Sequence, residues 1–92
     1  MKIQVTQEDI DNGVKLDCNW CPIARAASRA FNEPITVTRY YLTRCSDTTT
    51  SRYWRWTLPD EARKWQYSFD KGLDQVLPFE FEIEGYFCER RF

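Results

Sequence analysis

The strongest constraint on the fold is a strictly alternating segment near the end of the sequence. Phe79, Phe81 and Ile83 are each followed by a glutamate. This two-residue period predicts a β-strand with apolar side chains on one face and carboxylates on the other. The apolar face has to be buried against another layer, so the pattern favours a sheet covered by helices.

The glutamates of this strand lie at intervals of about 7 Å along its polar face. Carboxylates so spaced are compatible with hydrolytic acid–base chemistry. The same alternation is the usual pattern of a solvent-facing strand, with Arg44, Arg52 or Arg55 as partners across the sheet. We therefore interpret the glutamates as a solvated face.

Two main helices are predicted from apolar residues at helical spacing. Pro22 suits a first helical turn, and small apolar side chains recur from there to Phe31. A second main helix is predicted to open within Leu58-Pro59-Asp60-Glu61, with Thr57 or Leu58 just outside it, and to stop at Lys71-Gly72.

The first residues predict a short strand and a short helix. Ile3 to Val5 alternates apolar and polar residues, as in a strand. Thr6 then has the residue type of a helix N-cap. Gly13 is predicted to end this helix by taking a left-handed conformation.

Residues 35–45 and 52–58 are rich in β-branched and aromatic side chains, which predicts two strands. The polar residues 46–51 would join them as a hairpin. Because Tyr40 and Tyr41 are adjacent, strict alternation fails there, and either one ring faces outward or a bulge intervenes.

Together these segments predict one domain, residues 1–92, with the order β-α-α-β-β-α-β. The expected class is α+β: a four-stranded, largely antiparallel sheet with two main helices packed on one face. A ferredoxin-like topology is compatible with this order.

Composition narrows the possible functions. The chain has no histidine, which removes the commonest general base and metal ligand. A net charge of -1 argues against a nucleic-acid binder. The apolar runs are shorter than the ~20 residues of a membrane span, and the first residues do not read as a signal peptide. We therefore expect a cytoplasmic protein without a cofactor, in which binding is favoured over catalysis.

Cys18 and Cys21 form a C-x-x-C motif directly before Pro22. At a helix N-terminus such a pair can act as a redox dithiol, because the helix dipole lowers the thiol pKa. Packing of Cys21 as a small apolar residue is the simpler interpretation. Zinc is disfavoured, because Cys45 and Cys88 stand alone in the sequence. Reduced thiols are expected.

The predicted hairpin combines arginines with aromatic rings. Trp, Tyr and Arg are enriched among the residues that dominate protein interfaces, and Arg beside rings also stacks on nucleotides. We predict partner-binding residues here: Arg44, Arg52, Tyr53 and Arg55. Trp54 and Trp56 would instead share the face that packs on the core.

Several short motifs resemble those of small accessory proteins encoded by tailed bacteriophages and prophages. They are Val5-Thr6-x-x-Asp9-Ile10-x-x-Gly13, Cys21-Pro22-Ile23-Ala24-x-Ala26, Leu58-Pro59, Ala62, Phe69-Asp70-x-Gly72 and Pro78-Phe79-x-Phe81. These residues serve caps, helix packing and a buried strand face, so the resemblance transfers no catalytic residue.

The resemblance implies a non-enzymatic protein that binds and inhibits a bacterial host protein, such as a component of an immune system. Two alternatives stay open from the residues themselves. One is a protein that sequesters a small ligand such as a nucleotide, and the other is a dithiol redox protein.

Overall fold

The computed structural model describes residues 1–47, 52–72, 76–83 and 87–90, and gives backbone alone for residues 45–47, 52–54 and 87–90. Three helices and six strands lie within these ranges. They are β1 (Lys2–Val5), α1 (Gln7–Asn12), α2 (Pro22–Phe31), β2 (Thr36–Val37), β3 (Tyr41–Asp47), β4 (Arg52–Thr57), α3 (Asp60–Lys71), β5 (Phe79–Glu82) and β6 (Phe87–Arg90).

The predicted α+β class is confirmed, but the single four-stranded sheet is wrong. β1 pairs antiparallel with β5 in one sheet, and a second sheet has the order β2-β3-β4-β6. Ile3 lies opposite Phe81 in the first sheet. β1 and β5 each carry one apolar face, and pairing them makes a continuous surface to bury. The hairpin is left in a separate sheet, so the ferredoxin-like topology is wrong as well.

This pairing also changes the partners of the glutamates. Lys2 Nζ lies 3.7 Å from Glu80 Oε1, and Gln4 Nε2 donates to the other oxygen of Glu80 at 3.2 Å. The predicted pairing with hairpin arginines is wrong, because β5 has β1 and not the hairpin as its neighbour. Glu80 and Glu82 are exposed, which confirms the solvated face for these two residues, and Glu84 lies outside the described residues.

A turn divides the first predicted hairpin strand into β2 and β3. The Thr38 N–H donates to the Tyr41 carbonyl oxygen at 2.8 Å, and the Tyr41 N–H donates to Thr38 Oγ1 at 3.2 Å. Tyr40 therefore lies in the turn with its ring outward, as one of the two expected solutions requires. β6 is a strand that the sequence analysis missed, and it pairs with β4.

α2 lies at the centre of the core. Ile23, Ala24, Ala26 and Ala27 are all buried, and the helix packs against β1 and β2. Its small side chains allow this close approach. At the end of α2, the Phe31 ring contacts the Trp56 ring with centroids 4.6 Å apart. Trp56 is buried, as predicted.

α3 covers the β1–β5 sheet through rings. The Trp65 ring stacks on Phe79 at 4.8 Å, and Phe79 stacks on Phe81 at 5.5 Å. Trp65 Nε1 also donates to the Leu77 carbonyl oxygen at 2.8 Å, so its polar atom is satisfied while its ring packs.

The two glycines at helix ends have different roles. Gly72 ends α3 at the predicted stop, with φ 63 in the left-handed conformation. Gly13 has φ -74, so its predicted left-handed conformation is wrong. A Cβ at Gly13 would lie 2.6 Å from the Asp9 carbonyl oxygen and from Pro22. Glycine is needed there for close packing.

A buried carboxylate joins β1, α1 and α2. Asp9 is fully buried and completes a capping box with Thr6 at the start of α1. Arg29 of α2 donates to both Asp9 oxygens, at 2.9 and 2.8 Å, and also to the Gln4 carbonyl oxygen at 2.9 Å. Arg25 Nε lies farther from the carboxylate, at 3.6 Å. The bidentate pair therefore holds three elements together.

The pKa of Asp9 reflects this environment. Burial by itself would raise the pKa, but the hydrogen bonds from Arg29 and Thr6 and the charge of Arg29 outweigh it and hold the pKa below its ordinary 3.8. The same hydrogen bonds raise the pKa of Arg29. The pair is ionised at neutral pH.

We expect Arg29→Met to lower the free energy of unfolding by about 2 kcal/mol, because a buried carboxylate loses its charge-assisted hydrogen bonds. Arg25→Met is the matched control, with an expected loss below about 1 kcal/mol because its contact is longer. Urea unfolding followed by circular dichroism measures both. Equal losses in the two variants would contradict the role given to Arg29.

The same pair predicts a pH dependence. A carboxyl whose folded pKa lies below its unfolded pKa adds stability above the unfolded value, 3.8, and this stability is lost as the pH falls through the folded pKa. The stability difference between the wild type and Arg29→Met should therefore be complete at neutral pH and shrink in acid, as protonation of Asp9 removes the charge that Arg29 pairs with. Urea midpoints measured across this range test it, and a constant difference would speak against it.

Candidate functional site

A cleft of about 890 Å³ opens beside the N-terminal end of α2. One wall comes from residues 16–18, another from the turn at residues 38–40, and the third from α3. Exposed side chains of these walls include Leu16, Cys18, Arg39, Tyr40, Lys64 and Tyr67. Its volume lies within the range of about 300–1,000 Å³ that is typical of ligand sites.

Large apolar side chains of the cleft are exposed to solvent. The exposed fractions are 78% for Leu16, 47% for Tyr40 and 57% for Tyr67. Single exposed apolar residues are common, but several around one concave surface are typical of a binding site. These three side chains therefore mark the cleft as a candidate binding surface.

Leu16 is held in an unusual backbone conformation. Its φ is 58, in the left-handed region that disfavours residues with a Cβ. The Leu16 N–H donates to Asp70 Oδ1 of α3 at 3.0 Å, and Gln66 Nε2 donates to the same oxygen at 2.9 Å. Strain of this kind concentrates at functional sites. Here it presents an apolar side chain to solvent at the rim of the cleft.

The acidic groups of the cleft are engaged within the chain. Asp17 Oδ1 accepts the N–H groups of Asn19 and Trp20 at 2.8 and 2.9 Å, in a local turn. Asp60 forms an ion pair with Arg63. Asp70 holds Leu16, as above. The cleft carboxylates thus stabilise the walls.

Two basic groups of the cleft are not engaged by a group of opposite charge among the described residues. Arg39 and Lys64 are both exposed, and among the described residues no carboxylate pairs with either. Lys71 lies with Nζ 5.9 Å from the centre of the Tyr67 ring. The cleft therefore offers uncompensated positive charge beside exposed rings.

Two adjacent rings with a guanidinium group at each end form a row that leads from the hairpin into the cleft. Arg55 lies 4.1 Å above the Tyr41 ring, Tyr41 contacts Tyr40 edge-on at 6.4 Å, and Arg63 lies 5.2 Å from the Tyr40 ring. We call these four residues the ring row. The cation–π contacts at its two ends attract each guanidinium group to the face of a ring.

The predicted partner-binding residues do not form one patch. Arg44 lies opposite Trp54 and Arg55 lies opposite Thr43, so strand alternation places the two arginines on opposite faces of the sheet. Arg44 pairs with Glu33, whereas Arg55 belongs to the ring row. The side chains of Arg52 and Tyr53 lie outside the described residues. Their predicted contribution to binding stays a prediction.

The two cysteines of the C-x-x-C motif have different surroundings. Cys21 is buried and is the N-cap of α2, where Sγ accepts the Ala24 N–H at 3.4 Å. Cys18 is exposed, and both thiols are free. Burial raises the pKa of Cys21 to about 11, with smaller contributions from Asp70 and Asp17. The Cys21 thiol is therefore protonated at neutral pH, opposite to the effect expected from the helix dipole.

The cleft itself was missed in the sequence analysis. Tyr67 lies on the solvent side of α3, Tyr40 in an unexpected turn and Leu16 in a segment without periodicity. The adjacent Tyr40 and Tyr41 were the available signal, since one ring had to face outward. The spacing of these residues along the sequence does not predict that the three walls lie together.

Within the described ranges, no three Cys, Asp or Glu side chains are grouped so as to hold a metal ion. None of the described helices is long and apolar enough to cross a membrane.

Comparisons with protein-family models, with curated proteins and with solved structures found no match to this chain. The resemblance to phage accessory proteins therefore stays a prediction, and the function has to be argued from the site.

The cysteine geometry predicts unequal thiol reactivity. Iodoacetamide at neutral pH should modify Cys18 and leave Cys21 largely unmodified until urea unfolds the chain, because only the exposed thiol is accessible. Both residues lie between Lys15 and Arg25, so fragmentation of one tryptic peptide locates the adduct. Equal labelling of the native protein would contradict the burial of Cys21 and support the dithiol interpretation.

Proposed function

We propose that this protein is a small accessory protein of phage type that binds and inhibits a bacterial host protein without catalysing a reaction. The ring row is the observation that carries the proposal. Arg and Tyr are among the residue types that dominate protein interfaces, and here their side chains already contact one another without a partner. A preordered surface loses less conformational entropy on association.

The hairpin and the cleft would serve this function as one continuous surface. Arg55 stands at the hairpin end of the ring row, and Arg63 stands on α3 at the cleft. A partner covering both would contact the predicted binding residue Arg55 and the exposed Tyr40 together. Tyr53 would contribute from the hairpin, whereas Arg44, on the opposite face of the sheet and paired with Glu33, would lie outside this contact.

A nucleotide-sequestering protein is the second candidate, favoured by rings and cations around a cleft of suitable volume. Isothermal titration calorimetry with cyclic nucleotides separates it from the first. Heat of binding with micromolar affinity would support sequestration.

We expect the tagged protein to capture a host protein from bacterial lysate, and the double variant Tyr53→Ala with Arg55→Ala to lose that capture. Loss of two central interface residues costs enough free energy to reduce affinity by about a hundredfold. Quantitative mass spectrometry measures capture, and circular dichroism melting verifies that the variant is folded.

Lys2→Ala with Glu80→Ala is the matched control. This pair lies on the β1–β5 sheet, outside the ring row and the cleft, and should leave capture unchanged. If the wild type enriches no host protein over the bare resin, the proposed function is wrong. If the folded hairpin variant captures as well as the wild type, the hairpin is not the contact.

A further inference from the structure

We propose that the cleft binds an acidic segment of the partner protein, with an apolar side chain of that segment against Leu16, Tyr40 and Tyr67 and its carboxylates at Arg39 and Lys64. This inference rests on the proposed function. It adds the chemical character of the partner segment, which the ring row by itself does not indicate.

The charge of the cleft sets the sign of the occupant. Asp17, Asp60 and Asp70 line the cleft, but each is engaged by an N–H group or an arginine of this chain. Arg39 and Lys64 have no such partner among the described residues. The lining holds four basic side chains (Arg39, Arg63, Lys64 and Lys71) and three acidic ones, so a bound carboxylate would meet a net positive charge without displacing an internal ion pair.

The exposed apolar side chains of the cleft favour a segment that carries an apolar residue as well as carboxylates. Exposed ion pairs contribute only about 0.2–1 kcal/mol each. Burying an exposed leucine or tyrosine side chain adds about 1.5–3 kcal/mol when the contact is complete. Leu16 is 78% exposed and is held in place by Asp70 despite its left-handed backbone. A segment with an apolar residue flanked by carboxylates satisfies both parts of the cleft.

The same walls disfavour a phosphate group. Proteins usually hold phosphates with free backbone N–H groups at a helix N-terminus. At α2 the Ala24 N–H is already bonded to Cys21 Sγ. At α3 the first turn carries Asp60 and Glu61, which oppose an anion there. The available donors are long side chains around an open cleft, which suit a peptide better than a compact phosphate.

The test begins with a phage-displayed library of random dodecapeptides selected on the folded, full-length protein. We expect enriched peptides to share an aromatic or aliphatic residue flanked by Asp or Glu. The most enriched peptide, labelled with fluorescein, is then titrated by fluorescence polarisation. Its affinity should fall as the salt concentration rises, because exposed charges are screened.

Two variants of the cleft address its two parts. Arg39→Glu with Lys64→Glu should weaken this peptide by about tenfold or more through repulsion of its carboxylates. Tyr40→Ser with Tyr67→Ser should weaken it to a similar extent through lost apolar contact. Lys2→Glu is the matched charge reversal outside the cleft and should bind as the wild type does. Circular dichroism melting verifies the fold of each variant.

The proposal is overturned if no peptide is enriched, if the enriched peptides lack acidic residues, or if the charge-reversed cleft binds them equally well. Displacement of the peptide by micromolar ATP or cyclic AMP would overturn it in favour of a nucleotide site. Capture from lysate distinguishes failure of the cleft proposal from failure of the proposed function. Undiminished capture by Arg39→Glu with Lys64→Glu would remove the cleft proposal alone, whereas absence of any captured protein would remove the proposed function.

Discussion

The fold depends on one buried ion pair between Asp9 and Arg29. A carboxylate without exposed surface is unfavourable unless its oxygens are bonded, and here Thr6 and Arg29 satisfy them. Arg29 also donates a hydrogen bond to the carbonyl oxygen of Gln4 in β1. It therefore ties α2 to α1 and to β1 near the C-terminal end of α2. The opposite end of α2, with Cys21 as its cap, forms part of the cleft.

The surface divides into a part that serves the fold and a part that does not. On the β1–β5 sheet, Glu80 is engaged by Lys2 and Gln4. Around the cleft, the carboxylates stabilise local structure while Arg39 and Lys64 stay uncompensated among the described residues. The strained Leu16 and the outward ring of Tyr40 add apolar area at the same place. These features are the physical ground for the proposal that this face binds a partner.

Local chemistry made several elements predictable. Thr6 caps α1, Pro22 begins α2 and Gly72 ends α3, because each of these residues favours its backbone position regardless of distant contacts. The strand from Phe79 was predictable because its alternation leaves one face to bury. Gly13 shows the limit: its place at a helix end suggested a left-handed turn, but the close approach of Pro22 is what excludes a side chain there.

The sequence by itself determined the residue classes, the helices, the hairpin and the α+β class, because these depend on interactions within a few residues. The tertiary structure decided which strands pair and therefore placed Phe79 and Phe81 with β1 and not with the hairpin. It also decided that Arg44 and Arg55 face opposite ways, and that Leu16, Tyr40 and Tyr67 meet at one cleft. Strand pairing and the formation of the cleft depend on packing between segments that are far apart in the chain. Many arrangements of such segments bury a similar apolar area, so the spacing of residues along the sequence does not predict which arrangement forms.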